Sequence, residues 1–180
     1  MKLLRETIRK MILQEGMVTE LGPDESASIE YWGGEYHVTI VNDSRTIASV
    51  QLSPIANDYE PGFVDRDECH LTYDNTYLEI GPEDSYADDG YGPLIYDIAL
   101  EYAFQLGMSI VPDRTGVSSA ASSMWKHYKD KRPDVRFTPF EKDHPCFFYE
   151  YDDLNEKHLN GAYYKPSREY LDGLGVETPE

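Results

Sequence analysis

The chain has 180 residues, 40% hydrophobic and 28% charged, which is ordinary globular composition and length enough for one domain with a real core. Its net charge of −18 argues against nucleic acid and anionic membrane as partners, because phosphate surfaces are bound through Lys and Arg. No run approaches the roughly 18 apolar residues of a membrane span and the N-terminus lacks a signal-type apolar region, so the sequence reads as a soluble protein made in a cytoplasm.

Residues 2–15 predict an amphipathic helix. Leu4, Ile8, Met11 and Ile12 recur at helical spacing, with Arg5, Arg9 and Lys10 largely on the other side. This basic segment in an acidic chain reads either as a helix capping its own domain or as a docking helix for another protein. Residues 27–32, 35–41 and 46–52 predict three strands, joined by turns at Gly33-Gly34 and Asn42-Asp43. Tyr36, Val38 and Ile40 alternate with His37, Thr39 and Val41, as a half-buried strand requires. An acidic loop over 57–67 leads to a fourth strand within 71–80, clearest at 76–80.

Residues 81–89 predict a second acidic loop. Pro93 then opens a helix whose wide apolar face runs through Leu94, Ile95, Ile98, Ala99, Tyr102, Ala103 and Leu106, with Gly107 as its C-cap. Residues 108–111 predict a short buried strand. Ser118 or Ser119 caps a further helix to about Lys131, stopped by Pro133. Residues 135–140 and 146–151 predict two last strands. From Asp152 the chain reads as a Tyr-rich polar tail with a short helix at 167–171. The organisation expected is therefore an N-terminal helix over 1–16, a domain over 17–151 and a tail over 152–180.

The stretch Asp88-Asp89-Gly90-Tyr91-Gly92-Pro93 has the greatest chemical content. A Gly-x-Gly turn opening a helix points backbone N–H groups outward, the usual means of holding a phosphate. Two aspartates stand at that doorway. Moreover, residues 67–113 contain eleven Asp and Glu and no Lys or Arg, so the turn has the shape of a phosphate cradle in the wrong charge field. Two like charges about 4 Å apart repel by roughly 4 kcal/mol at an effective dielectric near 20. A helix N-terminus returns only ~0.3–1 kcal/mol, or ~2 when partly buried.

The order of helix, three antiparallel strands, a fourth strand, a Gly-x-Gly turn into a helix, a strand and a helix resembles the GNAT family of N-acetyltransferases. The likeness is best over 76–140. It implies an α+β fold with a mixed, mostly antiparallel sheet flanked by helices and preceded by the N-terminal amphipathic helix. It also implies that Gly90, Tyr91 and Gly92 hold the pyrophosphate of acetyl-CoA. In the family an Asn-x-x-Ala-x-x-Leu-Tyr pattern follows the fifth strand, and its Tyr protonates the CoA thiolate. Here Ser118, Ala121, Met124 and Trp125 occupy those positions. Residues 90–97, Pro112-Asp113-Arg114 and the later Trp125 and Tyr128 also resemble uncharacterised GNAT-like proteins of tailed bacteriophages, and residues 1–9 are similar to basic helices that begin many phage proteins.

The sequence departs from the family at its chemistry. Ala87 replaces the Gln or Arg of the turn, and the Trp125 indole donates a hydrogen bond but cannot titrate as an acid. Tyr128, one turn further on, is the substitute acid, with Glu79 among the acidic groups able to attract or deprotonate an amine. Two functions are expected on this basis. One is a non-catalytic structural or interaction protein, associated with a phage particle, that binds other proteins through Leu4, Ile8, Met11 and Ile12 and uses no cofactor. The other is an acetyl-CoA-dependent N-acetyltransferase acting on a basic amine.

Cys69, His70, His144 and Cys146 supply the residue types of a zinc site, against the alternative of two buried cysteines and two surface histidines, and their spacing is not a common one. Glu83, Asp84, Asp88 and Asp89 do not match a calcium loop. No metal is expected.

Overall fold

The computed structural model describes residues 20–54, 77–113, 116–142, 144, 146–147 and 156–174, without the side chains of 82–84 and 174. The N-terminal amphipathic segment, with Leu4, Ile8, Met11 and Ile12, lies outside the described residues, as do Cys69 and His70.

Among the described residues, seven strands form one sheet in the order β1-β2-β3-β4-β5-β7-β6. The strands are β1 (Glu25–Trp32), β2 (Glu35–Asn42), β3 (Arg45–Pro54), β4 (Tyr77–Ala87), β5 (Ser109–Val111), β6 (Arg136–Pro139) and β7 (Gly161–Tyr164). The helices are α1 (Gly92–Gln105), α2 (Ser119–Lys131) and α3 (Glu169–Leu174). All strand pairs are antiparallel except β4 with β5. The protein is thus α+β, with a mixed, mostly antiparallel sheet flanked by helices.

The β1–β2 turn follows from its two glycines. Gly33 and Gly34 both take positive φ, at 65° and 91°, as a two-residue hairpin loop matching the strand twist demands. Side-chain alternation then places Ala27, Ile29, Val38, Ile40, Ala48, Val50, Leu52, Leu78 and Ile80 in the core, together with Leu94, Ile95, Ile98 and Ala99 of α1. Gly107, at φ 73°, ends α1 in a Schellman motif: Met108 N–H donates to Ala103 O at 2.8 Å and Gly107 N–H to Phe104 O at 3.0 Å.

Three segments differ from the sequence expectation. The acidic stretch from 81 is strand as far as Ala87, leaving only 88–91 as turn. Its pairing with β3 jumps from Gln51↔Gly81 to Ser49↔Tyr86, so β4 carries a large bulge there. Ser85 repairs the ladder inside it, donating to Gly81 O at 2.6 Å and accepting from Gln51 N–H at 3.3 Å. Within the predicted polar tail, residues 161–164 form β7, inserted between β5 and β6. Cys146 and Phe147 are not strand.

Candidate functional site

A cleft opens where β4 and β5 part. Their parallel pairing covers Tyr77–Glu79 and Ser109–Val111 and then stops, while β4 continues through its bulge. The beginning of α2 faces the gap. Its inner chamber, about 200 Å³, is lined by Ile80, Gly81 and Ser85 of β4, Tyr96 of α1, Asp113, Gly116 and Val117, and Ser118, Ala121 and Trp125 of α2 and its cap. A neighbouring groove of about 600 Å³ shares Ser85, Tyr96, Ser118 and Ala121 with it as common walls. The groove runs to the turn at Asp88, Asp89 and Gly90 and is walled on the other side by Ala120, Ser123, Met124, His127 and Tyr128.

At the mouth, Gly90 takes φ 88°, which only glycine adopts without strain, and so turns the chain from strand into helix. No side chain caps α1 at Tyr91, and a Cβ at Gly92 would meet nothing within 4 Å. Gly92 thus leaves space at the helix start, while the Tyr91 N–H is taken up within the turn, donating to Asp88 O at 3.1 Å. The side chains around it are engaged elsewhere. Asp88 points to Arg45, whose Nη2 donates to its carboxylate at 2.9 and 3.2 Å. Tyr91 donates its phenol hydrogen to the carboxylate of Glu25 at the start of β1. That bond, reinforced by burial and the charges of Glu25 and Asp88, pushes the Tyr91 phenol up to about 12. Burial raises the Glu25 carboxyl, but hydrogen bonds from Tyr91, Gly22 N–H and Asn42 outweigh it and hold the group below the usual carboxylate range. Tyr91 is a tether between the turn and β1. Asp89 is exposed at the groove's rim.

On α2, Ser118 accepts from Ala121 N–H at 3.2 Å, the expected N-cap. Trp125 and Tyr128 are each 1% exposed. The indole packs edge-on against Tyr96, at 5.4 Å and 75°, and leans on Tyr163 of β7 at 4.7 Å. The Tyr128 hydroxyl donates to Pro93 O at 3.0 Å, binding α2 to the start of α1. Burial, and then the neighbouring charge of Asp97, drives this phenol well above its ordinary value. Tyr128 thus forms part of the groove wall with its acidic proton already committed. Glu79 lies half-buried on β4, beside Ser53 and Val111, and alternates with the core-facing Leu78 and Ile80. The residues lining the cleft do not include it, so Tyr128 and Glu79 do not meet there.

Asp113 is the group that sequence reasoning did not assign. It is 6% exposed and lines the inner chamber. Burial and then the Asp113 charge push the Tyr96 phenol up to about 12. Its position at the end of β5, opposite the β4 bulge, was the available signal.

Cys146 is buried at 2% and disulfide-bonded, which removes it from any zinc set. His144 Nδ1 accepts Cys146 N–H at 3.0 Å and its ring stacks on Phe140 at 4.2 Å. Among the described residues, no three His, Cys, Asp or Glu side chains gather as metal ligands, and no helix is long and apolar enough to cross a membrane.

No protein-family model, curated protein or solved structure matches this chain.

Proposed function

We propose that the protein is a non-catalytic GNAT-like structural or interaction component, associated with a phage particle, in which the cleft of the fold is kept and acetyl transfer is not. The observation that carries this reading is the engagement of the acid. Trp125 stands buried at the position the resemblance assigns to the thiolate's proton donor, and the Tyr128 hydroxyl is sealed against Pro93 O. The charges agree with it. Among the described residues lining the cleft, Asp88, Asp89 and Asp113 are acidic and none is Lys or Arg, an arrangement unfavourable to a ligand with several phosphate charges. The phage association rests on the likeness of residues 90–97, 112–114, Trp125 and Tyr128. Partner binding through Leu4, Ile8, Met11 and Ile12 rests on their amphipathic spacing.

One observation favours the alternative, an acetyl-CoA-dependent N-acetyltransferase acting on a basic amine. Gly90 and Gly92 line the groove, and a Cβ at Gly92 would meet nothing within 4 Å, so the Gly90, Tyr91 and Gly92 turn leaves room there for a ligand, although the Tyr91 N–H already donates to Asp88 O at 3.1 Å. Calorimetric titration with acetyl-CoA and CoA at low salt separates the two. The proposed reading expects no binding at millimolar ligand. Micromolar binding would overturn it and send the search to amine acceptors, with Tyr128 and Glu79 as the first residues to vary.

A further inference from the structure

We propose that β1 is the interface of a symmetric dimer, in which the β1 strands of two copies of this chain pair antiparallel, centred on Ile29. This contact lies on a different surface from the cleft and stands whether or not the reading above holds.

The two ends of the sheet are built differently. β6, at one end, has four residues, opens on Arg136 and closes on Pro139, which has no N–H to offer. A short strand carrying a cation and a proline is a protected edge. β1 is the other end among the described residues. It has eight residues, contains no Pro, Lys or Arg, and keeps an unbroken register with β2. Its last two residues, Tyr31 and Trp32, are 54% and 60% exposed and project to opposite faces of the sheet. A long, regular edge with exposed aromatic surface is a template for another strand.

The hairpin fixes which groups the edge offers. Gly33 and Gly34 form a two-residue loop, so Trp32 and Glu35 are the first residues to exchange backbone hydrogen bonds. Alternation then turns Glu30 and Ser28 toward β2 and directs the N–H and C=O groups of Ala27, Ile29 and Tyr31 away from it. An incoming strand has to match those three positions.

β1 matches itself there. With Ile29 opposite Ile29 of the second copy, Tyr31 meets Ala27, Trp32 meets Ser26 and Glu30 meets Ser28. Each large side chain faces a small one, and each Glu30 carboxylate faces a hydroxyl. A slip of two residues one way opposes the two Glu30 carboxylates, which is unfavourable. The same slip the other way sets Tyr31 against Glu25, which already accepts the Tyr91 hydroxyl. A slip of one residue exchanges the faces. The contact is isologous and closes at two copies. Charge opposes it, because each copy carries −18, so association strengthens as salt screens the repulsion. A basic partner on the same edge would show the opposite salt dependence.

Sedimentation equilibrium of the full chain at about 0.05 and 0.5 M salt tests this. The expected result is a concentration-dependent monomer–dimer equilibrium that is tighter at the higher salt. Tyr31→Lys should raise the dimer Kd at least about tenfold with an unchanged circular dichroism spectrum. Phe104→Lys, the same kind of change at an exposed aromatic of α1 that stacks on Tyr164, should leave it alone. Disulfide trapping reads the register. Chains with Ser26→Cys mixed with chains with Trp32→Cys should cross-link on air oxidation. Neither should cross-link alone, because like positions lie six residues apart in the paired strands, about 20 Å, well beyond disulfide reach. Trapping carries the test if Tyr31→Lys does not fold. A monomer at every concentration in both salts would overturn the proposal. So would a dimer undiminished in a folded Tyr31→Lys, a dimer loosened by salt, or mixed chains that cross-link no more than either alone.

Discussion

Glu101 is the residue whose charge this fold should miss most. It lies on α1 with no exposed surface. Its carboxylate pairs with Lys165 Nζ at 3.1 Å and accepts the Ser167 hydroxyl. It also accepts Tyr170 N–H at 2.9 Å and Leu171 N–H at 3.1 Å, capping the start of α3 from a distance of some seventy residues in the chain. Glu101→Gln keeps the size and removes the charge. Lys165, 2% exposed, then keeps its ionic contact with Asp134 at 3.7 Å, and the Asp134 side chain is 44% exposed. Removing one member of a buried ion pair typically costs about 3–5 kcal/mol. The remaining Asp134 contact places the expected loss near ~3 kcal/mol, a large share of the ~5–15 kcal/mol that holds a typical domain together. For a chain of this length that is a fall of roughly 6–12 °C in Tm. Urea unfolding followed by circular dichroism measures it, with the m-value expected to hold. The double variant Glu101→Leu with Lys165→Met removes both charges and should recover more than half of the loss, although the two N–H groups of α3 still lack their acceptor. A loss below ~1 kcal/mol for Glu101→Gln, or a double variant no better than the sum of the singles, would refute the claim that this pair locks the C-terminal segment onto α1.

Gly161→Ala should cost about 1–3 kcal/mol by the same assay, because its Cβ would lie 2.3 Å from Phe137 Cε2 and 2.5 Å from the Thr138 carbonyl oxygen. Tyr128→Phe should cost about 1 kcal/mol through the lost bond to Pro93 O, a purely structural signature that a tyrosine free to act as an acid would not give. His158 sets a pH dependence. Burial, against a hydrogen bond that the ring donates to the Ser122 backbone, lowers its folded value below the ordinary 6.5, so the unfolded chain takes up the proton first. Its contribution is complete above that value and is lost as pH falls through 6.5 toward the folded value. The urea midpoint should therefore drop below neutrality more steeply in the parent protein than in His158→Gln.

The elements with strong period and punctuation were legible in the sequence. β1, β2 and β3 follow from alternation and their turns, and α1 and α2 from Pro93, Gly107 and Ser118. β4 beyond Ile80 was not legible, since Pro82-Glu83-Asp84 is loop chemistry and the strand carries it only as a bulge held by Ser85. β7 was missed because four residues are too few to show a period; its place is set by Ala162 and Tyr163 packing against elements far away in sequence. The helical period of α1 marked its apolar face correctly but not its buried carboxylates. Asp97 and Glu101 sit 2% and 0% exposed because their cations come from Arg132 and Lys165, pairings no local pattern contains. The site was half legible. The turn at Gly90 and Gly92 that leads from strand into helix was visible from spacing, whereas the sealing of Tyr128 and the depth of Asp113 are properties of packing.

That distribution of charge resolves the conflict visible in the sequence. The stretch 67–113 has no cation of its own, yet three of its described carboxylates each meet a cation from elsewhere. Asp88 takes Arg45 from β3, Asp97 takes Arg132 from the end of α2, and Glu101 takes Lys165 from beside β7. Each of these cations comes from outside the stretch and each closes a tertiary contact, so the acidity is part of how the sheet, α1 and the C-terminal segment are joined. Burial still raises the Asp97 carboxyl despite Arg132 and Lys165, a sign that the partner only partly offsets desolvation. Asp113 is buried as well and lines the cleft beside the β4 bulge and the early end of β5. Bulges recur next to binding sites because they re-aim a strand at the cost of ladder bonds.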